Sequence, residues 1–223
     1  MAPDLLNDDG TASMATAFMM SHHAFRRDLG RYLRALEKGS PDPATMREEW
    51  QWYRNALHGH HTQEDTAIFP DMRQKHPATA ATIDKLAAEH KRIDPLLEHG
   101  DAAFAGLPAT RTDAVAVLRE LSALLDPHLA REAAEIVPHL RDAKEFPAPP
   151  DEQTAAMYAQ GFAWASNGIA ADVLARVDEM LPALLREKLP AARAAYDAKA
   201  ARQWPGEKPL ASRTPASLLT PGH

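Results

Sequence analysis

Cysteine is absent from the 223-residue chain. That excludes disulfides, thiolate metal sites, iron-sulfur clusters and thiol catalysis, so any metal must be held by nitrogen and oxygen. Glycine is scarce, at 10 residues, and there is no Gly-rich phosphate loop and no run of β-branched residues to suggest a sheet. No apolar run approaches the ~18 residues of a membrane span. The N-terminal MAPDLLNDDGTAS is acidic and too poor in apolar residues for a secretory signal, so a cytoplasmic setting without a membrane is expected. Positive charge is not in excess either. A formal net charge of -6 and a pI near 6.0 give no global attraction to phosphate, and nucleic acid is not an expected partner.

What the chain does contain is Ala, Leu, Arg and Glu in long stretches between prolines, with 45% hydrophobic and 25% charged residues. This composition predicts an all-α fold with a packed core. Ser13 is placed to cap a first helix to about Lys38, with Met19, His22, Phe25, Leu29, Leu33 and Leu36 at helical spacing. Asp42 caps and Pro43 opens a second helix, which should bend or end near Pro70. Pro77 starts a third, with Ile83, Leu86, His90, Ile93 and Leu97 on one face and an end at Gly100 or Gly106. Thr110 or Thr112 caps a fourth, to about Lys144.

The expected organisation is a flexible N-terminus over 1–13, a four-helix bundle over 14–144 and a proline-rich linker, EFPAPP, over 145–150. A helical extension over 151–204 follows, with helices near 151–166, 170–186 and 190–203, and then a disordered tail over 205–223. A homodimer is compatible with these amphipathic C-terminal helices.

Histidine organises the first part. HHTQEDTAIFPDM, from His60, and HLAREAAEIVPHL, from His128, share H-x3-E-x3-I-x-P. His60 and His128, Glu64 and Glu132, Ile68 and Ile136, and Pro70 and Pro138 are each 68 residues apart, as are His22 and His90. Phe25 and Ile93, Leu29 and Leu97, and Leu57 and Leu125 keep the same offset. A helical hairpin is duplicated, and two hairpins close into a four-helix bundle. Residues at i and i+4 share a helix face. Tyr53, Leu57, His60, Glu64 and Ile68 therefore point one way, as do Leu121, Leu125, His128, Glu132 and Ile136, and the apolar members say that way is inward. Buried unpaired carboxylates and imidazoles would each cost several kcal/mol. Carboxylates bridging two cations, with imidazoles completing each shell, remove that cost. Such a nitrogen and oxygen site suits iron, with manganese or zinc also compatible. Pro70 and Pro138 should kink or stop their helices at the same distance beyond the ligands.

With H, HxxxE, H, HxxxE over residues 22 to 132, the chain resembles the hemerythrin-like family, also called the HHE cation-binding domain. The resemblance implies an up-down-up-down four-helix bundle around a non-haem di-iron centre. It makes His22, His60, His90 and His128 terminal ligands and Glu64 and Glu132 carboxylate bridges. The circulating oxygen carriers of that family have HxxxH where this chain has His90 and Asp94, and HxxxxD where it has His128 and Glu132. The departures favour redox or peroxide chemistry, oxidation of a small substrate, or sensing of oxygen, nitric oxide or iron, over reversible oxygen carriage. The expected function is thus a di-iron oxidoreductase acting on oxygen or peroxide, and the alternative is a non-catalytic binding or sensing protein. Ferritin-like bundles carry Glu-x-x-His, and no Glu stands three residues before a His here.

Other residues have plainer readings. His22 is preferred over His23 because it keeps the repeat in phase. His61 ranks below the six repeat residues as a ligand, since it precedes Glu64 by three but its counterpart is Leu129. Asp65 and Glu89 could hold imidazole hydrogens or face solvent. Tyr53 is expected to pack in the core, with lining the ligand pocket as its functional alternative. His58, His76, His99, His139 and His223 read as surface or tail residues.

Overall fold

The computed structural model describes residues 4–39, 41–207 and 211–216. Among them the regular structure is all helical, and the one β-bridge is the isolated one between Ile169 and Ser212. The α-helices are α1 (Met14–Lys38), α2 (Pro43–Gln63), α3 (Phe69–Lys75), α4 (Ala80–Ala105), α5 (Arg111–Glu135), α6 (Glu152–Ser166), α7 (Ala171–Met180) and α8 (Ala183–Gln203). A π-helical turn, Glu64–Ile68, joins α2 to α3.

Two compact units divide the chain, one from Met1–Ala24 and Val137–Ser217, the other built on Phe25–Ile136. The division falls within α1 and just beyond α5. It does not fall at EFPAPP, because Phe146 is tied into the first unit: its N–H donates to the Met180 carbonyl at 3.0 Å and its ring meets Tyr158 and Phe162 edge-on.

In the unit of residues 25–136, local signals account for most helix ends. Asp42 caps α2 through its side chain, which accepts from the Thr45 N–H at 2.8 Å, and Pro43 sits in the first turn, where no amide hydrogen is needed. The predicted face of α4 is buried, as Ile83, Leu86, His90, Ile93 and Leu97 all show. The helix ends at Gly106, the later of the two expected stops, because Gly100 is used for packing instead. Thr110 precedes α5, but its hydroxyl donates to the Ala103 carbonyl rather than to the helix amides. The same helix stops at Glu135, short of the expected Lys144, and Val137–Leu140 tightens into a 3-10 turn around Pro138.

The turn before Pro70 behaves differently. Pro70 lacks an amide hydrogen and its ring crowds the carbonyl of Thr66. The helix widens, so that the Phe69 N–H reaches back five residues to Glu64, while the Thr66 hydroxyl donates to the Thr62 carbonyl at 2.6 Å. One extra residue per turn moves the inward phase on by one. Phe69 is therefore the buried residue and Ile68 is not, contrary to the expectation for Ile68, whereas its repeat counterpart Ile136 is fully buried.

Side chains join these helices. The Tyr32 hydroxyl of α1 donates to the Glu49 carbonyl of α2, Arg26 of α1 pairs with Asp126 of α5, and the Trp50 indole of α2 donates to Asp101 of α4. A Cβ on Gly100 would lie 2.0 Å from Trp50 Cζ2, so only glycine lets the indole cross α4 there.

In the other unit, α6 packs on α8, and Arg193 holds Asp178 through two nitrogens at 2.8 Å each. The third expected helix starts earlier than read, at Ala183 after Pro182, and Pro190 lies inside it. Residues 4–13, expected to be flexible, bury Leu5 and Leu6, and the Leu5 N–H donates to the Arg213 carbonyl at 2.9 Å. Within the expected disordered tail, Ser212 pairs with Gly168 and Ala170 through the backbone. The rest of the expected tail, including His223, lies partly outside the described residues. None of the described helices is long and apolar enough to cross a membrane.

Candidate metal centre

Five of the six repeat-derived residues lie within the unit of residues 25–136. His60 and Glu64 come from the end of α2 and the π turn, His90 from α4, and His128 and Glu132 from α5. Glu64 and Glu132 are completely buried, as is His128, and His90 is nearly so. Only His60 has its side chain partly open, at 12% exposure.

His61, ranked below those six in the sequence, is brought to the same place. One ligand atom from each of His61, Glu64, His90 and His128 lies within 4.8 Å of the others, and all four residues are buried. The same limit holds for His60, Glu64 and Glu132, so Glu64 belongs to two groups. Helix geometry allows this, because Glu64 has His60 at i−4 and His61 at i−3 as neighbours on one face. The repeat gave no sign of His61, since its counterpart is Leu129; the i−3 relation to a buried carboxylate was the available signal.

Both ring nitrogens of His61 are buried without a hydrogen-bond partner among the described residues. Its ring stacks on that of His90, with centroids 4.0 Å apart. Glu64 offers Oε1 at 3.0 Å from His60 Nε2 and Oε2 at 3.4 Å from His90 Nε2, yet among the described residues neither oxygen has a neighbour in hydrogen-bonding direction. Lone pairs that face one another across a shared point, deep in a core, are costly unless a cation sits between them. The donor set fits a metal.

Carboxylates outside these groups hold the far side of two imidazoles. Glu89 Oε2 lies 2.9 Å from His128 Nδ1, and Arg131 clamps both oxygens of Glu89 at 2.6 and 2.8 Å. Asp65 Oδ2 lies 3.1 Å from His90 Nδ1, but the Asp65 side chain is 42% exposed. Both arrangements leave Nε2 facing inward, the geometry in which a carboxylate orients a ligating histidine. Arg131 was not legible in the sequence as part of this arrangement.

Charge follows the same division. Burial alone would lower the proton affinity of His128, but the Glu132 and Glu89 carboxylates outweigh it and push the pKa up to about 9. His90 is likewise raised, with Glu64 and Asp65 outweighing its burial. His61 moves the other way, held well below the usual imidazole range by burial and by the neighbouring His90, His60 and His128, so it is neutral and ready to donate a lone pair.

His22 lies in the other unit, buried on α1, with its ring edge-on to Phe18 at 4.6 Å. Its neighbour His23 is fully engaged by backbone: Nε2 donates to the Asn167 carbonyl at 3.0 Å and Nδ1 accepts from the Ala216 N–H at 3.0 Å. That leaves His23 no lone pair for a metal. Tyr53 is buried against Phe25, Tyr32 and Trp50, and its hydroxyl has no hydrogen-bond partner among the described residues. Burial, and the Asp28 charge after it, hold that hydroxyl protonated well above the usual phenol range. His58, His99 and His139 are exposed and His76 is half-buried, as surface residues should be.

Comparison with known proteins gives one match. The family profile described as Hemerythrin HHE cation binding domain covers residues 13–150, more than half of the chain. No curated protein and no solved structure matches. The profile spans the buried histidine and carboxylate groups described above, and the chain belongs to the hemerythrin family of HHE cation-binding domains.

Proposed function

We propose that this protein is a non-haem di-iron protein that reacts with peroxide or oxygen, built as an up-down-up-down four-helix bundle with a C-terminal helical extension. The observation that carries the reading is Glu64, fully buried and shared by two groups of nitrogen and oxygen donors. A carboxylate in that position would be shared by two cations, and Glu132, grouped with His60 and 3.1 Å from His128 Nε2, would be the second carboxylate to hold them. Metal binding of this kind is supported by the family match; iron is proposed from the mixed imidazole and carboxylate set.

In this assignment His61, His90 and His128 serve one ion and His60 and His22 the other. The repeat supports His22, which stands 68 residues before His90 just as His60 stands 68 before His128. An iron pair, when bound, supplies two electrons for reduction of a peroxide or oxygen. The residues do the remaining work. Glu89 and Asp65 fix the tautomers of His128 and His90, each keeping its proton on Nδ1. Burial of Glu64, Glu132 and His128 excludes water, and the partly open His60 marks the side on which a small ligand enters.

The test is metal content per chain on untagged protein produced with iron, beside a Glu64→Ala, Glu132→Ala double variant. About two irons per chain, lost in the variant, with iron-dependent peroxide consumption, is the expected result. Iron retained by the double variant defeats the site. Two irons with a saturable spectral change and no turnover defeats catalysis in favour of sensing.

A further inference from the structure

A line of aromatic rings leaves the His60 side of the site. Phe25 lies 5.3 Å from His60, Tyr53 lies 5.7 Å from Phe25, and Trp50 is stacked on Tyr53 at 6.1 Å with 21° between the planes. Trp50 also stacks on Phe104 at 4.5 Å. Close rings in a dry core carry electrons, and Tyr and Trp are the side chains that can lose one. What decides where an electron vacancy comes to rest is the proton, because an oxidised phenol or indole becomes strongly acidic.

The two candidates differ sharply in this respect. Tyr53 is fully buried and its hydroxyl has no acceptor among the described residues, so its proton has nowhere to go. Trp50 is 2% exposed, but its indole N–H points at the Asp101 carboxylate, 2.8 Å away. Asp101 is itself 40% exposed and paired with Arg54 at 3.2 Å, so a proton received there passes on to solvent. Packing alone asks only that a buried indole find an acceptor, and a backbone carbonyl would do. Here the acceptor is an anion in contact with water, and α4 carries Gly100 where any Cβ would push the indole away from it.

Given the redox chemistry proposed above, we propose that Trp50, with Asp101 as its proton acceptor, is an electron relay that fills oxidising equivalents left at the metal site. Trp50 gives one electron inward through Tyr53 and Phe25 and its indole proton outward to Asp101, becoming a neutral indolyl radical. An external one-electron reductant such as ascorbate then restores it with an electron and a proton. Two such passes deliver two electrons to the site and release two protons to solvent through Asp101, so the two protons that turn one hydrogen peroxide into two waters are taken up from solvent on the partly open His60 side, and two ascorbates are oxidised to their radicals.

The experiment uses the full chain loaded with iron, mixed with hydrogen peroxide, freeze-quenched and read by electron paramagnetic resonance, with and without indole-deuterated tryptophan. The expected result is an organic radical whose spectrum changes on deuteration, is lost in Trp50→Phe at unchanged iron content, and is weakened in Asp101→Asn. Peptide mass spectrometry should find oxidised Trp50 when ascorbate is left out. A radical that survives Trp50→Phe or ignores indole deuteration overturns the relay. So does iron-dependent peroxide loss with neither radical nor oxidised Trp50. If Trp50→Phe fails to take up iron, Asp101→Asn with the indole label decides, and an undiminished radical there overturns the relay. Wild-type protein that binds no iron, or binds it and leaves peroxide untouched, is the separate failure of the functional reading, and the relay falls with it.

Discussion

Replacing Glu89 by Gln should weaken metal binding more than replacing Asp65 by Asn, although both carboxylates meet a ring nitrogen of a proposed ligand. Loss of a carboxylate that orients a metal-binding histidine costs roughly 10- to 100-fold in affinity, or about 1.4–2.7 kcal/mol. Where each variant falls in that range follows from what anchors it. Glu89 is 2.9 Å from His128 Nδ1 and is locked by Arg131 on both oxygens, at 2.6 and 2.8 Å. Gln at this position puts an amide N–H against the guanidinium, so the side chain must turn and the imidazole loses its rest. The upper part of the range is expected. Asp65 stands 3.1 Å from His90, is 42% exposed and has no such clamp, so water replaces much of what Asn gives up and the lower end is expected. The assay is competition for iron against a chelator of known affinity, at fixed pH and ionic strength. An Asp65→Asn loss equal to or larger than that of Glu89→Gln would refute the anchoring argument, and so would a Glu89→Gln variant within about twofold of wild type.

Three other outcomes follow from the same geometry. His61→Leu should abolish uptake of one metal ion while leaving the metal-free protein at least as stable as wild type, by about 1 kcal/mol, because two unpaired buried nitrogens disappear; urea unfolding with and without iron checks both halves. Gly100→Ala drives a methyl group to within 2.0 Å of the Trp50 ring and should cost about 1–3 kcal/mol in the same unfolding assay, without directly touching any proposed ligand. In chelator-treated protein His128 is raised above its unfolded value to about 9, so its stabilising contribution is complete below about pH 6.5 and lost as pH rises through 9. The melting temperature of wild type should therefore fall across that window more steeply than that of His128→Gln.

Much of this molecule is legible in one dimension. Helix type, the Asp42 and Pro43 start of α2, the inward face of α4 and the pairing of His60 with Glu64 and His128 with Glu132 depend on spacings of three or four residues and on capping chemistry, which act within a turn or two. The 68-residue offset then related the two hairpins, because each half repeats the same local code. Tertiary structure decided what that code does not contain. His61 has no repeat partner, and only the approach of α4 and α5 brings His90 and His128 to it. Ile68 reads as inward by spacing, but the widened turn that accommodates Pro70 advances the phase and buries Phe69 in its place. His22 and His23 are adjacent and equally histidine to any local rule; what separates them is that the backbone at Asn167 and Ala216, far along the chain, takes both nitrogens of His23. Glu89 becomes a rigid support rather than a solvated charge because Arg131, one helix away, closes on it. Contacts between residues distant in sequence choose among side chains that local periodicity treats alike.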